Sequence, residues 1–188
     1  IIFALILIFF LWTLASFAIT LLMKEEALSR LFPDTDEITS ENIVATEEKI
    51  AAIKQALGGK LTHILKGKEA QEINQQKEFT FYFGKKEKNL IGTALIIDEP
   101  GKWGPIKFIV RVSPEGKIEA VSVMAYKETR GRPIAAQNFL RQFVGKTLND
   151  PLRLHKDIQG ISGATISSEA ACFVMKKALL LYKELVQK

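Results

Sequence analysis

The chain changes hydrophobic rhythm three times, and each change marks an element. Residues 1–23 are apolar or hydroxyl-bearing and hold no charged side chain. This run predicts a helix that continues to about Leu31, where Phe32-Pro33 ends it because proline disfavours helical geometry in its predecessor. Asp34–Asn42 is polar and turn-rich and reads as a tether. Helical spacing returns over Thr46–Leu57, with Ile50, Ile53 and Leu57 on one face, Thr46 as N-cap and Gly58-Gly59 as the stop. A period near two follows. Glu78–Phe83 alternates, and Leu90–Ile97, Ile106–Val112 and Lys117–Tyr126 are apolar and rich in β-branched residues. The charged turn Gly84–Asn89 and the tight turn Ser113–Gly116 join neighbours, so these strands predict an antiparallel sheet. A short helix over Ile134–Phe143 and an irregular stretch through Gly145–Gly160 lead to a last helix over Ile166–Val186. Its stripe of Ala170, Val174, Ala178, Leu181 and Leu185 is a face for burial. The expected fold class is α+β, an antiparallel sheet packed with helices and preceded by one N-terminal transmembrane helix. The expected domains are 1–31 (the span and its extension), 32–45 (the tether) and 46–188 (the globular domain).

As a helix, 23 residues would extend about 34 Å, enough to cross a hydrocarbon core of roughly 30 Å. A cleaved signal peptide or a buried core helix would share the composition. Small residues at Ser16 and Ala18 could serve as a cleavage site, but the apolar run continues through Ile19–Met23. The flanking charges Lys24, Glu25, Glu26 and Arg30 are mixed in sign and do not orient the span.

With 188 residues there is room for one soluble domain beyond the span, and the net charge of +5 is interspersed with acids. No basic run is interleaved with aromatics, which argues against nucleic acid as a partner. One cysteine, Cys172, permits no intrachain disulfide and no paired-cysteine metal motif, and it reads as packing. His63 and His155 are distant in sequence, without acidic or cysteine companions at ligand spacing. Neither a dinucleotide glycine fingerprint nor a phosphate-binding loop is present, and Ser162-Gly163 lacks the glycine–x–serine–x–glycine elbow of hydrolases.

The chemistry concentrates in Ser162-Gly163-Ala164-Thr165-Ile166-Ser167-Ser168. A hydroxyl on Thr165 follows two residues too small to shield it, just where a long helix opens. An anion there would meet the unpaired N–H groups and the positive end of the helix dipole. The alternative is that Thr165 or Ser162 caps the helix. Trp103 lies in Gly101-Lys102-Trp103-Gly104, where a large ring can lie against a flat ligand or pack at a sheet edge.

Taken in order, the apolar span, Gly101-Lys102-Trp103-Gly104-Pro105-Ile106, Lys127-Glu128-Thr129-Arg130-Gly131 and Ser162-Gly163-Ala164-Thr165 resemble the FMN-binding domain family. That family includes the G subunit of the Rnf complex and the C subunit of the Na+-translocating NADH:quinone reductase. The resemblance implies FMN held covalently by a phosphoester to Thr165, with Ser162, Gly163, Ala164, Ser167, Trp103, Gly104, Glu128, Thr129 and Gly131 as cofactor-binding residues and no catalytic residue of its own. It implies partners too: a flavin transferase for maturation, other subunits of a membrane electron-transfer complex, and the lipid bilayer. The domain would then lie on the extracytoplasmic side of the cytoplasmic membrane. Two departures stand out. Arg130 replaces a usual proline, and Gln159 stands where the transferase recognises an aspartate, the nearest acid being Asp157. The expected function is electron relay by a membrane-anchored flavoprotein. A membrane-anchored redox sensor, or a structural subunit that has lost the cofactor, is the alternative.

Overall fold

The computed structural model describes residues 19–102, 104–127 and 132–187. Six antiparallel strands form one sheet: β1 (Ile19–Thr20), β2 (Glu37–Val44), β3 (Glu78–Lys86), β4 (Asn89–Pro100), β5 (Pro105–Val112) and β6 (Ile118–Tyr126). Their spatial order is β1-β6-β5-β4-β3-β2, so β3 to β6 are a meander of neighbours and the two earlier strands close its edges. Among the described residues five α-helices accompany them: α1 (Lys24–Leu31), α2 (Glu47–Ala56), α3 (Lys68–Gln75), α4 (Gln137–Leu140) and α5 (Thr165–Leu185). The α+β class is therefore observed.

Both faces of the sheet are covered, which explains why the central strands read as apolar runs rather than clean alternations. On one face Leu95, Ile97, Phe108, Val110 and Val112 pack with Ile53 of α2 and with Ala170, Val174, Ala178 and Leu181 of α5. On the other, Ala94, Ile109 and Met124 pack with Leu22, Ala27, Leu28 and Leu31 around α1. Arg111 on that second face donates to the Leu31 carbonyl at 2.7 Å and to the Ile91 carbonyl at 3.0 Å, pinning the end of α1 to the sheet.

Several expectations require correction. The predicted first helix does not reach Leu31 unbroken. Ile19 and Thr20 pair with Tyr126 and Ala125, and the N–H groups of Leu21 and Leu22 both donate to the Met124 carbonyl. The helix starts only at Lys24. An open edge of β6 offered these backbone groups partners, and Leu22 gained burial against the sheet. Residues 1–18 lie outside the described residues. Among the described ones, no helix is long and apolar enough to cross a membrane. The tether over 32–45 is also corrected, because residues 37–44 pair in register with 85–78 as a full edge strand. The short helix expected over Ile134–Phe143 is instead α4 between 3-10 turns at Arg132–Ala135 and Arg141–Phe143.

The α2 boundaries follow their caps. Thr46 accepts the Lys49 N–H at 3.3 Å, and Gly58 and Gly59 take φ of 83° and 93°. Helix α5 is fixed at its far end by the Tyr182 hydroxyl, which donates to the Pro114 carbonyl at 3.0 Å beside the β5–β6 turn. Its N-terminal half therefore runs toward the opposite end of the sheet, where β4 turns into β5.

Candidate functional site

Two of the predicted segments meet at that end. Gly101 donates its N–H to the Gly104 carbonyl at 2.8 Å, closing the β4–β5 turn. Gly104 has φ of 150°, and a Cβ there would come within 3.0 Å of the Lys127 Cβ. Glycine is thus required for the turn to lie against the end of β6, from which the 128–131 segment departs. Trp103, Glu128, Thr129 and Gly131 lie outside the described residues, so their assigned roles stay expectations.

The third segment lies at the opening of α5. Gly163 takes φ of 76°, and a Cβ there would meet nothing described within 4 Å. Ala164 is the N-cap residue and no side chain among the described residues caps the helix, so neither Thr165 nor Ser162 serves as the cap. Thr165 is exposed, as are Ser162 and Gly163, while Ser167 is buried. The first N–H groups of a helix have no partner within it, and here the positive end of the dipole coincides with an open turn and an exposed hydroxyl. That is a fit for a phosphate ester: small neighbours, space around Gly163 and an electropositive backbone.

Sequence reasoning missed what holds this turn. Ser168 is fully buried, and its hydroxyl donates to the Ala164 carbonyl at 2.9 Å and accepts the Ile161 N–H at 3.1 Å. Upstream, the Gln142 side chain clamps the Gln159 backbone, accepting its N–H at 2.8 Å and donating to its carbonyl at 3.2 Å. Asp157 does not stand in for the missing acid. It accepts N–H groups of Leu152 and Arg153 and pairs with Lys146 at 2.9 Å, so its carboxylate is committed to the 151–158 loop.

Cys172, further along α5, is inert as a thiolate. Burial pushes it up to about 12, with Asp157 and Glu169 adding to the effect. The two histidines separate in role as well. His155 sits at φ of 60° on the exposed loop, whereas His63 meets a carboxylate that sequence spacing did not reveal, Glu99 at 2.9 Å.

Residues 101–180 match the FMN-binding domain family. The G subunit of the proton-translocating ferredoxin:NAD(+) oxidoreductase complex of Clostridium ljungdahlii is 31% identical over 116 residues, which cover 57% of this chain and 61% of that relative. The match thus spans less than two thirds of the relative. Among solved structures, NqrC of Shewanella oneidensis superimposes with a TM-score of 0.55 at 15% identity, covering 85% of this chain and 86% of that one. The C subunit of the Na(+)-translocating NADH-quinone reductase of Parabacteroides distasonis gives 0.53 at 17% identity, covering 87% and 83%. At such identities these two establish the fold. The residues similar to that family contain the β4–β5 turn, β5, β6 and most of α5, so all three predicted segments fall within the matched stretch.

Proposed function

We propose that this chain holds FMN through a phosphoester to Thr165 and relays electrons between subunits of a membrane oxidoreductase complex of Rnf or Nqr type. The carrying observation is the exposed Thr165 at the opening of α5, which no described side chain caps, two residues after a glycine whose Cβ would meet nothing described within 4 Å. Bound FMN would supply the one-electron chemistry.

The chain's own residues attach and orient. Gly163 lets the backbone turn so that a transferase reaches the Thr165 oxygen. The α5 N-terminus favours the remaining negative charge of a phosphodiester by roughly 0.3–1 kcal/mol. Ser168 and Gln142 hold the approach to the turn in one conformation. The Gly101–Gly104 turn and the 128–131 segment would flank the ring. Gln159 in place of the usual aspartate, with Asp157 already engaged, makes slow or incomplete attachment the expected behaviour.

In this reading the uncharged run ahead of Ile19 belongs to the membrane anchor. The domain would lie outside the cytoplasmic membrane. The test is intact mass of protein purified from native membranes. An FMN-sized addition that disappears in Thr165→Ala supports the carrier, and bare threonine with an active transferase present indicates a structural subunit. Co-purification with haem, iron–sulfur or quinone-binding subunits separates a carrier from a sensor.

A further inference from the structure

We propose that the fully buried Glu99 and the part-buried His63 form a pair that takes up a proton when the cofactor takes up an electron. This rests on the reading of the chain as an FMN carrier. Glu99 is fully buried and stands two residues before Gly101, at the root of the turn expected to flank the ring. A single one of its oxygens, Oε1, accepts from the Thr62 hydroxyl at 2.6 Å, the His63 N–H at 2.7 Å and His63 Nδ1 at 2.9 Å. The other oxygen, Oε2, is buried without a partner among the described residues, and so is His63 Nε2.

A structural tie between β4 and the 60–64 loop explains Oε1 alone. Two further buried and unsatisfied atoms are a cost that the tie does not require. With Nδ1–H donating to the carboxylate, Nε2 carries a lone pair and is a place for a proton. The His63 ring also forms part of the wall of an open cavity of about 680 Å³ between the end of α2, the 151–156 loop and α5. The imidazole thus stands between the cavity wall and the carboxylate, with Nε2 itself buried.

The charges around the pair are divided in sign. From α5, the Lys177 amine donates to the Leu61 carbonyl at 2.8 Å; burial pushes it below its ordinary range while Glu99 and Asp98 pull it back up. Lys60 donates to the His63 carbonyl at 2.6 Å. Across the cavity stand Lys176 and Glu169 of α5, and the loop adds Arg153, His155 and Lys156. Lys60, Lys176, Arg153 and Lys156 oppose a further positive charge at His63, whereas Asp98 and Glu169 favour one. An added electron near Gly101 tips that balance. The step conserves charge: one electron arrives from the donor subunit, one proton arrives from solvent at the pair, and no other bond changes.

The experiment is potentiometry of the flavinylated full-length protein between about pH 5 and 8, comparing wild type with His63→Gln and Glu99→Gln. Full coupling changes the one-electron equilibrium tenfold per pH unit, about 59 mV. The expected result is a wild-type midpoint potential that falls more steeply with pH than either variant's. Curves that run parallel, offset by a constant, overturn the inference and leave a structural tie. A second measurement uses wild type alone, so it does not depend on the variants folding. NMR of the His63 ring should show protonation on reduction at constant pH, and an unchanged ring overturns the proposal. Protein lacking the FMN addition at Thr165 overturns the carrier reading, and this inference with it; FMN present with parallel curves overturns the inference only.

Discussion

Ser168 and Ala164 are joined twice, because the backbone N–H and the hydroxyl of Ser168 both donate to the Ala164 carbonyl at 2.9 Å. The hydroxyl oxygen also receives the Ile161 N–H, so one buried side chain closes the turn that presents Thr165. Ser168→Ala removes both side-chain bonds and leaves the Ile161 N–H unpaired, a cost of about 1–3 kcal/mol. The expected outcome is a lower melting temperature together with a smaller flavin-loaded fraction by intact mass. A variant that melts and loads like wild type would remove Ser168 from the site.

Asp157 governs the neighbouring loop. Burial alone would raise its carboxyl, but the Arg153 N–H, the Lys146 ammonium and the Leu152 N–H outweigh it and hold the group below the ordinary carboxylate range. Lys146 is correspondingly held above its ordinary range, chiefly by Asp157. A carboxylate lowered on folding adds stability that is fully present above its unfolded value near pH 3.9 and is lost as pH falls through the folded one. Asp157→Asn should therefore destabilise the protein at neutral pH and flatten its loss of stability in acid, read from denaturant unfolding at pH 7 and pH 3. Equal acid sensitivity of variant and wild type would contradict this.

Cys172 should behave as a packing residue. With its thiol pushed up to about 12 and its surface 6% exposed, almost no thiolate exists at pH 7. Iodoacetamide should leave the native protein unmodified over hours and label it completely in denaturant, as read by mass. Rapid labelling of native protein would show that this face of α5 opens.

Periodicity revealed the elements whose burial is one-sided or complete. Helix α5 and the strands β3 to β6 follow it within a few residues, since their apolar positions face a continuous core. It failed where burial is sparse. Strand β2 exposes most of its length at the sheet edge, so its sequence is polar and resembles a linker. Helix α3 buries Ala70 alone and leaves no stripe to detect. The uncharged run at the start carries no periodic signal that would separate a helix from the extended pairing that begins at Ile19. For the site, the Thr165 motif was legible because its neighbours are contiguous. Glu99 and His63 were not, because 36 residues separate them and only the packing of the 60–64 loop against β4 brings them together. Gln142 and Gln159 stand 17 apart and share that explanation.

Lys177 offers the sharpest pH test of the interior. Burial is the largest influence on it and pushes its amine below the ordinary value of 10.5, while Glu99 and then Asp98 resist. A lysine whose folded value is depressed binds its proton more readily unfolded, so it contributes stability that grows as pH rises from the folded value toward 10.5. Cys172 and Tyr182 act in the opposite sense, since burial raises both and their unfolded forms ionise first. The difference between wild type and Lys177→Met isolates the lysine, because the variant keeps the other two groups. Over the alkaline range below 10.5 the wild type should gain stability relative to the variant in denaturant unfolding. A difference that stays constant across that range would mean that Lys177 keeps its charge at 1% exposure, with Glu99 neutralising it in full.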